Sequence, residues 1–152
     1  MAYSGGVDST FLAKAAYLAL REKSIAVTGV SPTLSMRELK EAKTLTKTIG
    51  IRHELISTSE WDNPSYRKND EKRCFYCKGA LFELLTQMKH ELSWEWVVDG
   101  TNLDDLQDSR PGLEAASRFG VGHPLIEAGF TKQDIRQKSR ELGLPTWNKG
   151  SF

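Results

Sequence analysis

The chain has 152 residues, enough for one domain with a real hydrophobic core, and its 21 basic and 20 acidic residues leave a net charge near zero. That balance gives no electrostatic case for a nucleic-acid or membrane-surface partner, although a local basic groove would escape a bulk count. No apolar run approaches the ~20 residues that span a bilayer, no secretory leader pattern opens the chain, and two closely spaced cysteines make no disulfide scaffold, so a reducing, cytoplasmic setting is expected.

A short apolar segment leads at once into SGGVDST (residues 4–10), a turn rich in glycine and hydroxyls. Val7, Phe11, Leu12, Ala15, Ala16 and Ala19 then recur at helical spacing and predict a first helix to about Arg21. IAVTGV (25–30) is short, apolar and β-rich, as a buried parallel strand should be. Ser35, with Glu38 three residues on, predicts the cap of a second helix that carries Leu39, Ala42, Leu45 and Ile49 on one face and ends at Gly50. IRHELI (51–56) reads as a third strand, and a polar, irregular stretch follows over 57–72. A helix is expected from about Cys74 to Leu92, with Leu81, Leu84, Leu85 and Met88 on its buried face. WEWVVDGTN (94–102) supplies a strand whose end turns acidic, with Trp94 and Trp96 packing beside it. GLEAASRFG (112–120) is a short helix, and GVGHPL (120–125) reads as a turn. Thr131 with Asp134 caps a last helix to about Leu142, with Gly143 and Pro145 beyond its end.

Strands alternating with helices give an α/β fold over residues 1–152, a doubly wound parallel sheet flanked by helices. In such sheets ligands lie beyond the carboxyl ends of the strands, which selects residues 4–10, 31–35 and 99–110. In the first, Gly5 and Gly6 allow positive φ and a close approach of backbone to a ligand. The amides from Val7 onward then open a helix, whose dipole also favours an anion. Ser4, Ser9 and Thr10 add hydroxyl donors, and Asp8 is placed to hold magnesium on a bound phosphate. An ordinary strand-to-helix turn capped by serine uses the same residue types, and loop chemistry alone does not separate the two. The loop has no lysine and the chain no G-x-x-x-x-G-K-[ST], so this is not a Walker A site.

In the last of the three places, Asp99, Asp104, Asp105 and Asp108 set four carboxylates within ten residues, with Arg110 beside them. Asp99, at the strand's end, is a candidate magnesium ligand, and the amides around Gly100 and Thr101 can approach a nucleotide. Asp105 and Asp108 read as caps of the next short helix. Cys74 and Cys77 stand at C-x-x-C spacing. Zinc needs four ligands, and no second histidine follows His90 at finger spacing. A redox pair would want the motif after the first strand of a βαβ unit. Structural cysteines opening a helix and an iron–sulfur cluster with further thiolates stay open. His53 reads as a surface or edge residue and His90 as a favourable charge at a helix C-terminus. Arg67, Lys68 and Arg73 read as solvated loop charges, with a phosphorylated substrate as the alternative.

SGGVDST resembles the S-G-G-x-D-S loop of the PP-loop superfamily, the N-type ATP pyrophosphatases. Within it the chain most resembles the LarE-type ATP-dependent sacrificial sulfur transferases, through SPTLSMRELKEA (31–42), RCFYCK (73–78), DGTNLDDLQDSRPG (99–112), PLIEAGFTKQDIR (124–136) and ELGLPTWNK (141–149). The resemblance implies an adenine nucleotide alpha-hydrolase-like fold and cleavage of ATP between its α- and β-phosphates. It further implies adenylation of a substrate carboxylate and sulfur transfer to a pyridinium mononucleotide in nickel-pincer cofactor biosynthesis. Residues 4–10 would hold the pyrophosphate, with Asp8 and Ser9 in catalysis and Asp8 and Asp99 on Mg2+. Thr28, Ser31 and Met36 would line the adenosine pocket, although Met36 is equally placed to be a core methionine.

In some members of this family a cysteine pair like Cys74 and Cys77, with a third cysteine, holds a four-iron cluster; in others the third alone donates sulfur. The third lies in a W-x-K-P-x-x-x-C-type segment. Here Trp147, Asn148 and Lys149 are followed by Gly150 in place of the proline, and the chain stops at Phe152 without that cysteine. With so short a lead into the loop, both ends are expected to be cut from a longer, homo-oligomeric protein whose C-terminal region contributes to assembly and substrate binding. Rival readings are a PP-loop amide-forming enzyme, a tRNA thiolase (which would want a basic surface), and a non-catalytic nucleotide-binding module.

Overall fold

The computed structural model describes residues 1–30, 34–57, 73–107 and 111–149, and only the backbone of 73–78, 107, 111 and 112. Strands β1 (Ile25–Val30) and β2 (Arg52–Ser57) pair in parallel, Ile25 opposite Arg52. Three shorter segments extend this ladder. Tyr3 N donates to Val27 O and Val27 N to Met1 O, both at 2.9 Å, so residues 1–3 lie beside β1. On their other side Ala2 N donates to Val98 O (2.9 Å), and Gly122 N reaches Val97 O (2.9 Å) while Asp99 N reaches Gly122 O (3.1 Å). Ala2 with Val27 and Val98 with Gly122 form parallel bridges. In space the order is therefore 52–57, 25–30, 1–3, 97–99, 121–122, and the direction of winding reverses between residues 1–3 and 97–99. That reversal is the switch point at which α/β sheets open a crevice.

Helices fill the connections: α1 (Val7–Leu20), α2 (Met36–Ile49), α3 (Arg73–Leu92), α4 (Pro111–Arg118), α5 (Pro124–Glu127) and α6 (Lys132–Glu141). Single 3-10 turns occupy Arg21–Lys23, Leu103–Gln107 and Pro145–Asn148. Ser35 and Glu38 form the expected capping box on α2, and Thr131 with Asp134 forms another on α6. Gly50 closes α2, its N–H on Thr46 O at 2.8 Å.

Successive strand residues face opposite sides of a sheet, and the core divides accordingly. Met1, Tyr3 and Ala26 join Val7, Phe11 and Leu12 of α1, Leu45 and Ile49 of α2 and Ile135 of α6 in one cluster. Ala2 and Val27 join Phe82 and Leu85 of α3 and Ala115 and Ala116 of α4 in the other. The protein is thus an α/β, doubly wound parallel sheet with helices on both faces. Each large apolar side chain so buried contributes about 1.5–3 kcal/mol.

Three expectations change. GVGHPL was read as a turn, yet Val121 and Gly122 supply the fifth strand segment; two residues have no periodicity to read. The strand expected over 94–102 narrows to a bridge at Val98, and Trp96, upstream of it, is 75% exposed and unpacked. His53 does sit on the edge strand, but its ring turns inward, bonded to Thr28 Oγ1 (2.7 Å) and Thr46 Oγ1 (3.2 Å) and edge-on to Tyr3. Burial, then the charge of Lys43, push the His53 pKa below its ordinary value. The irregular stretch expected over 57–72 lies, beyond Ser57, outside the described residues. Among the described residues no helix is long and apolar enough to cross a membrane.

Candidate nucleotide site

The glycine loop joins residues 1–3 to α1 on one side of the switch point. Gly5 has φ +85°, a conformation that favours glycine, and it packs against α2, where a Cβ would meet Ala42 Cβ at 3.4 Å. Ser4 N donates to Ser9 Oγ (3.2 Å), the two hydroxyls share a hydrogen bond (3.0 Å), and Gly6 N donates to Ser4 Oγ (3.3 Å). Gly6 is the N-cap and brings no side chain to the helix end. The first helical bond is Thr10 N to Gly6 O (3.1 Å), so the amides of Val7, Asp8 and Ser9 precede the ladder and can serve an anion. Thr10 is fully buried, its hydroxyl 3.5 Å from Tyr3 OH, and Ser9's hydroxyl is turned back into the loop.

Across the crevice, Gly100 abuts α1: a Cβ there would lie 3.0 Å from Ser9 N and 3.1 Å from Asp8 C. This close approach brings residues 99–102 to the first turn of α1. Asp8 Oδ2 accepts from Lys132 Nζ (2.7 Å) and Asn102 Nδ2 (3.2 Å). Its other oxygen, Oδ1, is buried and lacks a hydrogen-bond partner among the described residues. Asp99 is buried, and its Oδ1 accepts from His123 Nδ1 (2.7 Å) and Thr101 N (3.1 Å). Burial raises the Asp99 carboxyl, but the hydrogen bond and charge of His123, together with Thr101, outweigh it and hold the group below the ordinary carboxylate range. Asn102 and Asp105 cap each other, Asn102 N on Asp105 Oδ2 (3.0 Å) and Asp105 N on Asn102 Oδ1 (3.1 Å). Asp104 Oδ2 accepts from Lys132 N at 2.9 Å.

Of the sequence-derived residues, Ser4, Gly5, Gly6, Val7, Asp8, Ser9, Asp99, Gly100 and Thr101 meet at this crevice, whereas Thr10, expected as a hydroxyl donor, is buried beneath it against Tyr3. Thr28 is buried, donating to Tyr3 O (2.9 Å) and bonded to His53. Met36 is 80% exposed at the start of α2, so it is no core residue. Ser31, Asp108, Arg110, Arg67 and Lys68 lie outside the described residues, as do the side chains of Arg73, Cys74 and Cys77 at the start of α3. Sequence reasoning missed Lys132, Asn102 and His123. GFTKQDIR carried the lysine next to a recognised cap, so a basic residue at N1 was the available signal.

Magnesium fits what is present: a buried carboxylate oxygen without a hydrogen-bond partner among the described residues and a second buried carboxylate are hard donors, and Mg2+ usually takes one or two carboxylates plus phosphate oxygens. Among the described residues no three His, Cys, Asp or Glu side chains converge. An iron–sulfur cluster finds no support among the described residues, which do not include the side chains of Cys74 and Cys77.

Scanned against family models, the chain matches none. An uncharacterized Synechocystis protein is 47% identical over 149 residues, 98% of this chain and 56% of that protein. The pyridinium-3,5-bisthiocarboxylic acid mononucleotide synthase of Lactiplantibacillus plantarum is 32% identical over 150 residues, 98% of this chain and 54% of the synthase. The chain thus spans about half the length of the curated relatives it matches. Among solved structures, an NMN synthetase from Francisella tularensis aligns with TM-score 0.67 and 18% identity, over 99% of this chain and 64% of that one. An ammonia-dependent NAD synthetase from Campylobacter jejuni, solved with nitrate, aligns with TM-score 0.57 and 17% identity, over 93% and 73%. In sequence the chain is a LarE homologue, and in fold it is like the NAD and NMN synthetases.

Proposed function

We propose that this chain binds Mg-ATP at the switch-point crevice and adenylates a substrate carboxylate, releasing pyrophosphate, as the activation step of sulfur transfer to a pyridinium mononucleotide. The observation that carries the reading is Asp8: one carboxylate oxygen is buried beside the open first turn of α1 and has no hydrogen-bond partner among the described residues, and the other is held by Lys132 and Asn102. The 32% identical synthase supports the pyridinium substrate.

In this reading the amides of residues 7–9 cradle the β- and γ-phosphates at the positive end of α1. The loop's serines bond to one another and to the Gly6 amide, which leaves the amides of Val7, Asp8 and Ser9 for the nucleotide. Met36 would border the adenosine, while Thr28 would shape the floor, its hydroxyl being engaged by Tyr3 and His53. Asp8 and Asp99 would hold magnesium, which supplies charge neutralisation on the phosphates when bound. The substrate carboxylate oxygen attacks the α-phosphorus, the bond from that phosphorus to the bridging oxygen breaks, and its electron pair leaves with pyrophosphate. Loop amides and the Lys132 ammonium, already at the mouth of the loop, stabilise that departing charge. The nucleophile is an anion, so no proton has to be moved. A sulfur nucleophile then displaces AMP.

The test is release of pyrophosphate and AMP from ATP with a carboxylated pyridinium mononucleotide, for this chain and for Asp8→Ala. Substrate-dependent release that falls by about a hundredfold or more in the variant is expected. Tight ATP binding without release by the parent refutes adenylation and leaves a nucleotide-binding module. Release untouched by Asp8→Ala refutes the loop assignment.

A further inference from the structure

The peptide joining Gly5 to Gly6 has glycine on both sides, which makes it the freest unit of the loop. A flip of that peptide exchanges its N–H for its carbonyl at little steric cost, because neither residue has a Cβ. A trans peptide points the two groups in opposite directions. In this structure the Gly6 N–H points to Ser4 Oγ, on the side where the Ser4 and Ser9 hydroxyls meet. The Gly5 carbonyl points the other way, to Lys149 Nζ at 3.1 Å. Lys149 also reaches Glu41 Oε2 of α2 at 3.4 Å. That hydrogen bond, first, and the Lys149 charge, second, hold the Glu41 carboxyl below its ordinary range.

Lys149 is itself placed by α6. Arg136 donates to Trp147 O (2.9 Å), and the Arg140 guanidinium lies over the Trp147 ring at 4.9 Å. Lys132, Arg136 and Arg140 fall at i, i+4 and i+8, on one stripe of the helix. One end of that stripe holds Asp8; the rest holds the turn Pro145–Asn148, from which Lys149 extends. The glycine loop is thus gripped at two points, by Lys132 of α6 and by Lys149 beyond the turn that α6 holds, at sequence separations of 124 and 144.

We propose that Lys149 is a positioning residue of the loop: by holding the Gly5 carbonyl it fixes the Gly5–Gly6 peptide in this orientation, with the N–H on the Ser4 side, so that the carbonyl oxygen is not turned toward the bound phosphates. A carbonyl turned toward a polyphosphate would set a partial negative charge against it. The consequence for nucleotide binding rests on the reading given under Proposed function; the peptide orientation does not.

The experiment compares the parent chain with Lys149→Met, which keeps the stem and removes the charge, and with Lys149→Arg. Two quantities are read: the amide ¹H–¹⁵N resonances of Gly5 and Gly6 without ligand, and the affinity for ATP. In Lys149→Met the two glycine resonances should shift while those of β1 and β2 stay in place, and ATP binding should weaken roughly tenfold, as loss of one charged hydrogen bond implies. Lys149→Arg should restore both. Glu41→Gln, at a half-exposed position that leaves the fold intact, releases Lys149 from α2 and should shift the same two resonances by less. Glycine resonances unchanged in Lys149→Met overturn the proposal, whatever happens to ATP. A parent chain that fails to bind ATP overturns the nucleotide reading alone, and the resonance comparison still decides the peptide orientation.

Discussion

Gly100 packs tightly against the backbone at the start of α1, and adding one methyl group there tests the site's construction. An alanine Cβ would lie 3.0 Å from Ser9 N, 3.1 Å from Asp8 C and 3.2 Å from Ser9 Cα, all backbone atoms in the first turn of α1. Nothing flexible can yield, so either the strand end or the helix start must move by several tenths of an ångström. Overpacking of this kind costs about 1–3 kcal/mol. For a chain of 152 residues that lowers the melting temperature by about 2–4 °C per kcal/mol. The movement also shifts the amides of Asp8 and Ser9, so ATP affinity should fall with stability. Gly122→Ala is the matched control. Its Cβ would meet Val98 Cγ1 at 3.3 Å, a side chain that can give, and the next atom lies at 3.9 Å. Thermal melts and ATP titration of both variants give the answer. Gly100→Ala melting and binding like the parent, or no worse than Gly122→Ala, would refute the claim that residues 99–102 and the α1 start form one rigid crevice.

Two further outcomes follow from the same geometry. Burial depresses the His53 pKa, so on acidification the unfolded chain takes up its proton first, and the stability His53 provides is present above about pH 6.5 and lost as pH falls through the folded value. Denaturant titrations between pH 7.5 and 5 should show the parent losing stability over that window and His53→Gln losing less; equal slopes would contradict the assignment. Thr131→Ala removes the box that starts α6, where Asp134 N bonds Thr131 Oγ1 (3.2 Å). It should cost about 1 kcal/mol of stability in chemical denaturation. It should also weaken ATP binding, since the next residue, Lys132, sits on Asp8; a stability loss with unaltered binding would separate the cap from the site.

Much of this protein could be read from its residues, for identifiable reasons. Ser35 and Glu38, Thr131 and Asp134, and Gly50 announced helix ends through local hydrogen bonds, which sequence spacing reveals directly. The glycine loop and Asp99 were found because strand ends and glycine turns are also local. What escaped was carried by contacts between distant residues. Asn102 and Lys132 meet Asp8 from 94 and 124 positions away, and His123 meets Asp99 only because Val121 and Gly122 form a strand segment too short to show a period. His53 escaped for a related reason: its alternation marks an edge strand, but only the packing of Tyr3, Thr28 and Thr46 turns the ring inward.

The central claim is that the α1 start and Asp8 together form a site for a metal-bound nucleoside triphosphate. The most direct measurement is calorimetric titration of ATP into the chain and into Asp8→Asn, each with and without magnesium. The account predicts that magnesium tightens ATP binding to the parent, and that Asp8→Asn, which keeps the side chain's size but loses the carboxylate, abolishes most of that tightening while the loop amides still bind nucleotide weakly. Equal ATP affinity with and without magnesium, or a magnesium effect that survives in Asp8→Asn, would contradict it.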